Sequence, residues 1–185
     1  MFYYWLHILY IFIGSKLFWK KVPVKADLKR VRKVSILDCD ALRFMANSKY
    51  FYYMDLIRFE LLFRSKLYNS TVKKGMFPVL GSQKIIYKKP LKRWTTFTIT
   101  LVLEGWDDKW AYHRQVFEQD NQICALGFTK VAFWKNKKAQ QMTAILHEAG
   151  LTDAAMNVPE TIKNIFDHDY HLLDYKLNEQ DQALK

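Results

Sequence analysis

Residues 38–67 read DCDALRFMANSKYFYYMDLIRFELLFRSKL, and this stretch decides the fold. It opens with two carboxylates around a cysteine, Asp38-Cys39-Asp40, and runs from Asn47 into an apolar segment with helical spacing. Asn47 reads as the N-cap, since its side-chain oxygen can accept from a free amide of the first turn. Tyr50, Met54, Ile57, Leu61 and Leu62 recur at intervals of three and four, which predicts a helix of roughly 20 residues and about 30 Å. Phe51, Phe59 and Phe63 widen the stripe until little polar surface remains, so other elements must cover the helix on most sides. Four later runs, Pro78–Lys89, Trp94–Gly105, Lys109–Gln119 and Gln122–Lys135, are rich in Val, Ile, Thr and aromatic residues and read as strands. One buried helix followed by a meander of long strands predicts an α+β fold in which a single antiparallel sheet curls around a central helix.

The order of strand, D-x-D turn, long helix and four strands resembles the hotdog-fold thioesterases of the 4-hydroxybenzoyl-CoA thioesterase type. Within that family, DCDALRFMANSKYFYYMDLIRFEL and EGWDDKWAYHRQVFEQDNQICALGFTKVAFW are similar to the branch called thioesterase superfamily member six. The resemblance covers roughly residues 33–135. It implies hydrolysis of a fatty acyl or aryl CoA thioester with no other cofactor, and a homodimer with the acyl site at the junction of two sheets. It also implies that Asp40, the second Asp of D-x-D, is the nucleophile or general base. The chemistry agrees with a lone carboxylate: the leaving thiol has a pKa near that of cysteine, about 8.5, so its departure does not require protonation. What remains necessary is a group that attacks or activates water, and donors for the developing oxyanion. The helix start at Asn47, Ser48, Lys49 and Tyr50 offers free amides and a positive dipole end. Phe44, Met45, Ala46 and Met54 are then candidates for the substrate pocket. Phe44 and Ala46 stand where many relatives carry His and Asn, which leaves a more apolar approach to the helix. The alternative for Asp40 is a turn residue satisfying its own backbone. Asp38 reads as a structural carboxylate. Cys39, with no basic partner evident, reads as packing.

At 185 residues the chain suits one domain with a sizeable core, since half of it is hydrophobic. It divides into an apolar head (1–19), a basic linker (20–32), the hotdog domain (33–135) and a helical extension with a tail (136–185). The net charge of +11 implies an anionic partner: nucleic acid, an anionic membrane or a phosphate-bearing ligand. Residues 1–14 carry no Asp, Glu, Lys or Arg, and eight basic residues follow between Lys16 and Lys33. This pattern reads as an anchor holding the body on the cytoplasmic side of a membrane. Two alternatives stay open: the head packs on the domain itself or on a second subunit, or the protein is simply cytoplasmic. Two cysteines give no disulfide framework.

Arg32–Leu37 alternates like a half-buried strand, and Asn69–Gly81 reads as a loop. Lys73, Lys74, Lys88, Lys89 and Arg93 are candidates for the CoA phosphates, against the plain reading of a solvated face. Asp55 and Arg58 sit three apart and read as a surface ion pair. Asp107 and Asp108 form a hairpin turn, and His113 reads as structural. A helix over Ala139–Gly150 and a second from Pro159 to about Leu177 close the chain. His168 and His171 beside Asp167 and Asp169 make a weak ligand cluster, so no metal site is expected. No G-x-S-x-G elbow argues for a serine hydrolase. A nucleic-acid module would explain the charge but neither the buried helix nor the lack of a reader motif. A non-catalytic acyl-binding or scaffold protein of the same fold is the alternative function. A dehydratase ranks lower, since no His lies between Asp38 and Leu67 to act as its base.

Overall fold

The computed structural model describes residues 2–152, 158–167 and 169. In chain order the elements are α1 (Phe2–Leu17), β1 (Leu28–Lys33), α2 (Asn47–Arg64), α3 (Leu67–Ser70), β2 (Phe77–Tyr87), β3 (Thr96–Trp106), β4 (Ala111–Gln119), β5 (Gln122–Lys135), β6 (Lys138–Ala139), α4 (Met142–Glu148) and α5 (Glu160–Phe166). The sheet is antiparallel throughout in the order β1-β3-β4-β5-β2, with the short β6 paired to β5. It curls around α2, giving the hotdog architecture that the sequence predicts.

Side-chain alternation produces the wrap. Along β3, Phe97, Ile99, Leu101 and Leu103 point inward and are almost wholly buried, while the residues between them face out. Phe97, Ile99 and Leu101 pack with Phe117 and Ala125 against Tyr50, Met54, Ile57 and Leu61 of α2. The helix crowds the sheet at Gly127, where a Cβ would lie 2.3 Å from the Met54 methyl. The Met54 thioether occupies the space a side chain at Gly127 would need.

Several boundaries differ from the sequence reading. Helix α2 begins at Asn47, so the cap is Ala46 in extended conformation, and it supplies no side-chain hydrogen bond. The first strand lies at Leu28–Lys33, earlier than the alternation over Arg32–Leu37 suggests, and Ile36–Asp38 is a short 3-10 turn. Asn69–Gly81, which reads as a loop in sequence, holds the end of α3, a 3-10 turn at Val72–Lys74 and the start of β2. The Asp107 turn forms as expected: its Oδ1 accepts from the amides of Lys109 and Trp110, and its Oδ2 accepts from the Tyr112 hydroxyl. Helix α4 is shorter than read, and Gly150 follows it at φ +95°. Helix α5 starts behind Pro159. Its extension toward Leu177 and the His168–His171 cluster fall outside the described residues, except that Asp169 pairs with Lys84 and Lys130. Among the described residues no group of three or more His, Cys, Asp or Glu is placed to hold a metal.

The apolar head forms α1, which lies along α2. Ile11 is 1% exposed, Tyr4 packs on Tyr52, and Phe12 meets Phe63 edge on. Its outer side leaves Trp5, Tyr10, Leu17 and Phe18 exposed. Among the described residues no helix is long and apolar enough to cross a membrane. The end of α1 is fastened by charge. Glu60, 1% exposed, takes Arg30 of β1 through both its oxygens at 2.9 and 2.6 Å, and Arg64 one turn along α2 at 2.5 Å. Trp19 lies over both guanidinium groups. A buried carboxylate is tolerated here because two cations and an aromatic face replace its water.

Candidate functional site

The D-x-D turn and the first turn of α2 are built as one unit. Asp38 is buried, and its Oδ2 accepts from the Ser35 amide (2.9 Å), the Ser35 hydroxyl (2.7 Å) and the Tyr53 hydroxyl (3.0 Å), while Lys49 lies 3.4 Å from its Oδ1. Burial alone would raise its pKa. The Ser35 and Tyr53 hydrogen bonds, with the Lys49 charge, outweigh burial and hold it below the ordinary value. Asp38 therefore clamps the turn to the helix, and its carbonyl accepts from the Ala46 amide at 2.8 Å. This is the structural carboxylate that the sequence suggests.

Asp40 is exposed at the tip. Its Oδ1 accepts from the amides of Leu42 (2.9 Å) and Phe44 (3.3 Å), and Arg43 adopts φ +67° to close the turn. Asp40 thus satisfies its own backbone through one oxygen, and among the described residues no hydrogen bond reaches Oδ2. Downstream, Ala46 gives no side-chain cap, but its carbonyl takes the Lys49 amide at 2.8 Å, so the expected free amide at Lys49 is engaged, while among the described residues no side-chain acceptor meets the amides of Asn47 and Ser48. Asn47 and Ser48 are exposed at that point, and Lys49 is half-buried with its ammonium turned to Asp38.

The other candidates fall into separate groups. Tyr50, Met45 and Met54 are core residues, each under 5% exposed. The Tyr50 hydroxyl accepts from the Leu91 amide, and its ring sits on Tyr87 and Phe117. The Met45 amide bonds the Leu91 carbonyl, and Phe44 bridges to Lys92, so residues 91–93 line up beside the D-x-D turn. Phe44 and Ala46 are half-buried. Arg93 donates its amide to the Arg43 carbonyl, which puts Arg93 at the Asp40 end of α2, close after Lys88 and Lys89 at the end of β2. Lys73 and Lys74 lie instead with the last turn of α2, and Lys74 pairs with Glu148 at 2.5 Å. Those termini are separated by 17 residues, or about 26 Å at 1.5 Å per residue. The five cations do not form one cluster within a subunit. Cys39 donates to the Ser35 carbonyl at 3.3 Å, and burial pushes its thiol up, as fits a packing role.

The structure adds a cavity of about 260 Å³ between α2 and the sheet, walled by Phe59, Leu62, Leu103, Val131, Phe133 and Leu146 among others. Asp55, Arg58 and His113 line it too. Asp55 and Arg58 do pair, through Oδ1 and Nη2, with Asp55 33% exposed and Arg58 15%, so the pair sits in the cavity wall rather than on an open face. Burial raises the Asp55 pKa despite Arg58, and lowers that of Arg58 despite Asp55. Burial, with Arg58 adding to it, drives the His113 ring down to about 3, so the imidazole is neutral. Among the described residues, Arg58 Nη1 and His113 Nδ1 are both enclosed without a hydrogen-bond partner. An i, i+3 pair looks solvated in sequence because nothing local reports that β4 lies across it. The cavity begins at Asp55, about 12 Å along α2 from Asn47.

Residues 34–166 match the sequence family described as a thioesterase-like superfamily. Protein THEM6 of Xenopus laevis is 35% identical over 99 residues, 51% of this chain and 48% of that protein. The chain thus spans about half the length of this curated relative. Among solved structures, a hypothetical protein from Aquifex aeolicus superposes with a TM-score of 0.59 at 25% identity, over 66% of this chain and 98% of that one. The probable thioesterase YbaW from Escherichia coli has a TM-score of 0.61 at 21% identity, over 66% of this chain and 95% of its own, a likeness of fold.

Proposed function

Because the chain belongs to the thioesterase-like superfamily, we propose that it hydrolyses an acyl thioester of coenzyme A through the carboxylate of Asp40. The observation that carries the reading is the joint construction of the Asp40 turn and the uncapped start of α2, held together by Asp38. The Asp40 carboxylate takes a proton from water as the water oxygen attacks the thioester carbon, or attacks that carbon itself to form an anhydride that water then opens. Either way the carbonyl oxygen becomes an oxyanion, and the free amides around Asn47 and Ser48 stabilise it. The C–S bond breaks with its electron pair going to sulfur, and the thiolate leaves. The acyl chain occupies the apolar cavity along α2, and Lys88, Lys89 and Arg93 stand at the end where the phosphates of the carrier would arrive.

Assembly and location complete the proposal. Among the described residues strand β2 is an edge, paired to β5 alone, and exposes Phe77, Leu80, Ile86 and Tyr87, which supports a homodimer formed along it. The exposed aromatic side of α1, with basic residues beyond it, supports residence at the cytoplasmic face of an anionic membrane. One observation favours the non-catalytic alternative: Asp40 Oδ1 is committed to its own turn. Assay of purified protein and Asp40→Asn on a panel of acyl-CoAs separates the two. Hydrolysis that drops at least about a hundredfold in the variant supports catalysis. Saturable binding with no turnover above Asp40→Asn transfers the reading to acyl binding.

A further inference from the structure

Among the described residues that line the cavity along α2, all are apolar except Tyr4, Asp55, Arg58 and His113. The four share one neighbourhood: Asp55 and Arg58 are paired, their charges act on the Tyr4 hydroxyl, and the Arg58 charge acts on the His113 ring. The ion pair leaves hydrogen-bonding capacity unused. Arg58 engages Asp55 through Nη2, while its Nη1 and the Nδ1 of His113 are enclosed and unmatched among the described residues. An enclosed polar atom without a partner destabilises the fold, so two of them behind an apolar cavity call for an explanation. The electrostatics select the missing partner. Asp55 already balances Arg58, and burial together with the Arg58 charge keeps His113 neutral, so the group carries no net charge. A carboxylate entering here would be a second desolvated anion beside Asp55, its counter-charge already taken. A hydroxyl or keto oxygen brings only the acceptor that Nη1 lacks. The neutral imidazole has one N–H and one acceptor, so it serves either group. Its half-buried ring lies in the cavity wall, and its soft χ2 torsion lets Nδ1 turn toward the lumen.

We infer that the cavity selects an acyl chain carrying a neutral oxygen, a hydroxyl or keto group, which Arg58 and His113 recognise. Where that oxygen falls on the chain rests on the thioesterase reading above, which holds the carbonyl at the start of α2. Asp55 and Arg58 lie eight and eleven residues beyond Asn47, about 12 and 17 Å along the helix. An extended chain gains about 1.2 Å per bond, a third of what a fully extended residue spans, so the oxygen belongs roughly ten to fourteen bonds from the carbonyl. Past Arg58 the cavity continues between Phe59, Leu62, Leu67 and Leu146, which suits an apolar tail beyond the oxygen. Arg58 Nη1 donates to the ligand oxygen, and a ligand hydroxyl donates in turn to His113.

The test compares octadecanoyl-CoA with 12-hydroxyoctadecanoyl-CoA, and dodecanoyl-CoA with dodecanedioyl-CoA, all below their micellar concentrations and on the full-length protein. Binding is measured by calorimetry on Asp40→Asn, and kcat/KM on the wild type. The hydroxy chain is expected to exceed the plain chain at least about tenfold in binding, in kcat/KM or in both, since the plain chain leaves both nitrogens unmatched. His113→Phe should lower that ratio to below about threefold by weakening the hydroxy chain alone, and His113→Gln, which keeps a donor and an acceptor, should retain part of it. A merely structural histidine would shift both chains equally. A wild-type ratio near one, a ratio undiminished in His113→Phe, or a preference for dodecanedioyl-CoA over dodecanoyl-CoA overturns the inference, and the wild-type ratio decides alone if His113→Phe does not fold. Turnover without the ratio overturns the inference and leaves the thioesterase reading standing. A binding ratio without turnover supports the inference and removes that reading.

Discussion

Acidification from pH 7 to pH 5 should unfold this protein more readily through one histidine. His113 faces Arg58 and Asp55 in the cavity and stays neutral down to about pH 3, whereas an unfolded chain protonates it near 6.5. A folded-state pKa below the unfolded one means stability that is complete above pH 6.5 and drains as pH falls toward 3, because only the unfolded chain gains the proton. Each pH unit inside that window costs about 1.36 kcal/mol, so the 1.5 units between 6.5 and 5 remove up to about 2 kcal/mol. Asp38, whose pKa is depressed, loses its contribution only below the ordinary carboxylate value of about 3.9, outside the interval. Asp55, raised by burial, acts with the opposite sign but is common to wild type and variant. The assay is urea unfolding at both pH values and one protein concentration, followed by the fluorescence of buried Trp106 and the other tryptophans. His113→Gln, which cannot ionise, should lose about 2 kcal/mol less than wild type across the interval. Equal losses in the two proteins would refute the argument.

Asp38→Asn should leave a buried turn without its charge partner and lower stability by roughly 1–3 kcal/mol in denaturant melts, with the proposed acyl-CoA hydrolysis following the folded fraction. Glu60→Gln strands Arg30 and Arg64 beside a neutral amide and should cost about 3–5 kcal/mol, read as a lower urea midpoint; a change under about 1 kcal/mol would show that the network is solvated. Leu80→Lys with Ile86→Lys on the edge strand should convert the proposed dimer to a monomer in light scattering at micromolar concentration, and an unchanged mass would count against β2 as the interface.

The sheet and central helix were legible because their signals are local. β-branched and aromatic runs mark β2 to β5, and Gln122–Lys135 coincides with the observed strand. The Asp107 turn is equally local, since its carboxylate bonds amides two and three residues on. Strand β1 was misplaced because Leu28 is its only buried residue and LKRVRK reads as solvated charge. Arg30 is drawn in by Glu60, thirty residues away, and no periodicity reports such a partner. The same reason hid the Asp55, Arg58 and His113 grouping, which depends on β4 passing over α2. Asp40 and Asp38 were separable in advance by motif alone. Their actual difference, one exposed at a tip and one buried under Tyr53, comes from the fold.

The strand order has a consequence for how the chain reaches this state. Strands β3, β4 and β5 are sequential neighbours and can zip as they emerge, but β2 leaves the ribosome before them and pairs only with β5, the last long strand. Until residues 122–135 are out, β2 waits with an open ladder on both sides, while α2 waits for its wrapper. Pairings of this sequence separation form late, and their precursors are aggregation-prone. Synthesis stalled after β4 should therefore leave a species that holdase chaperones retain, and release should coincide with the emergence of β5.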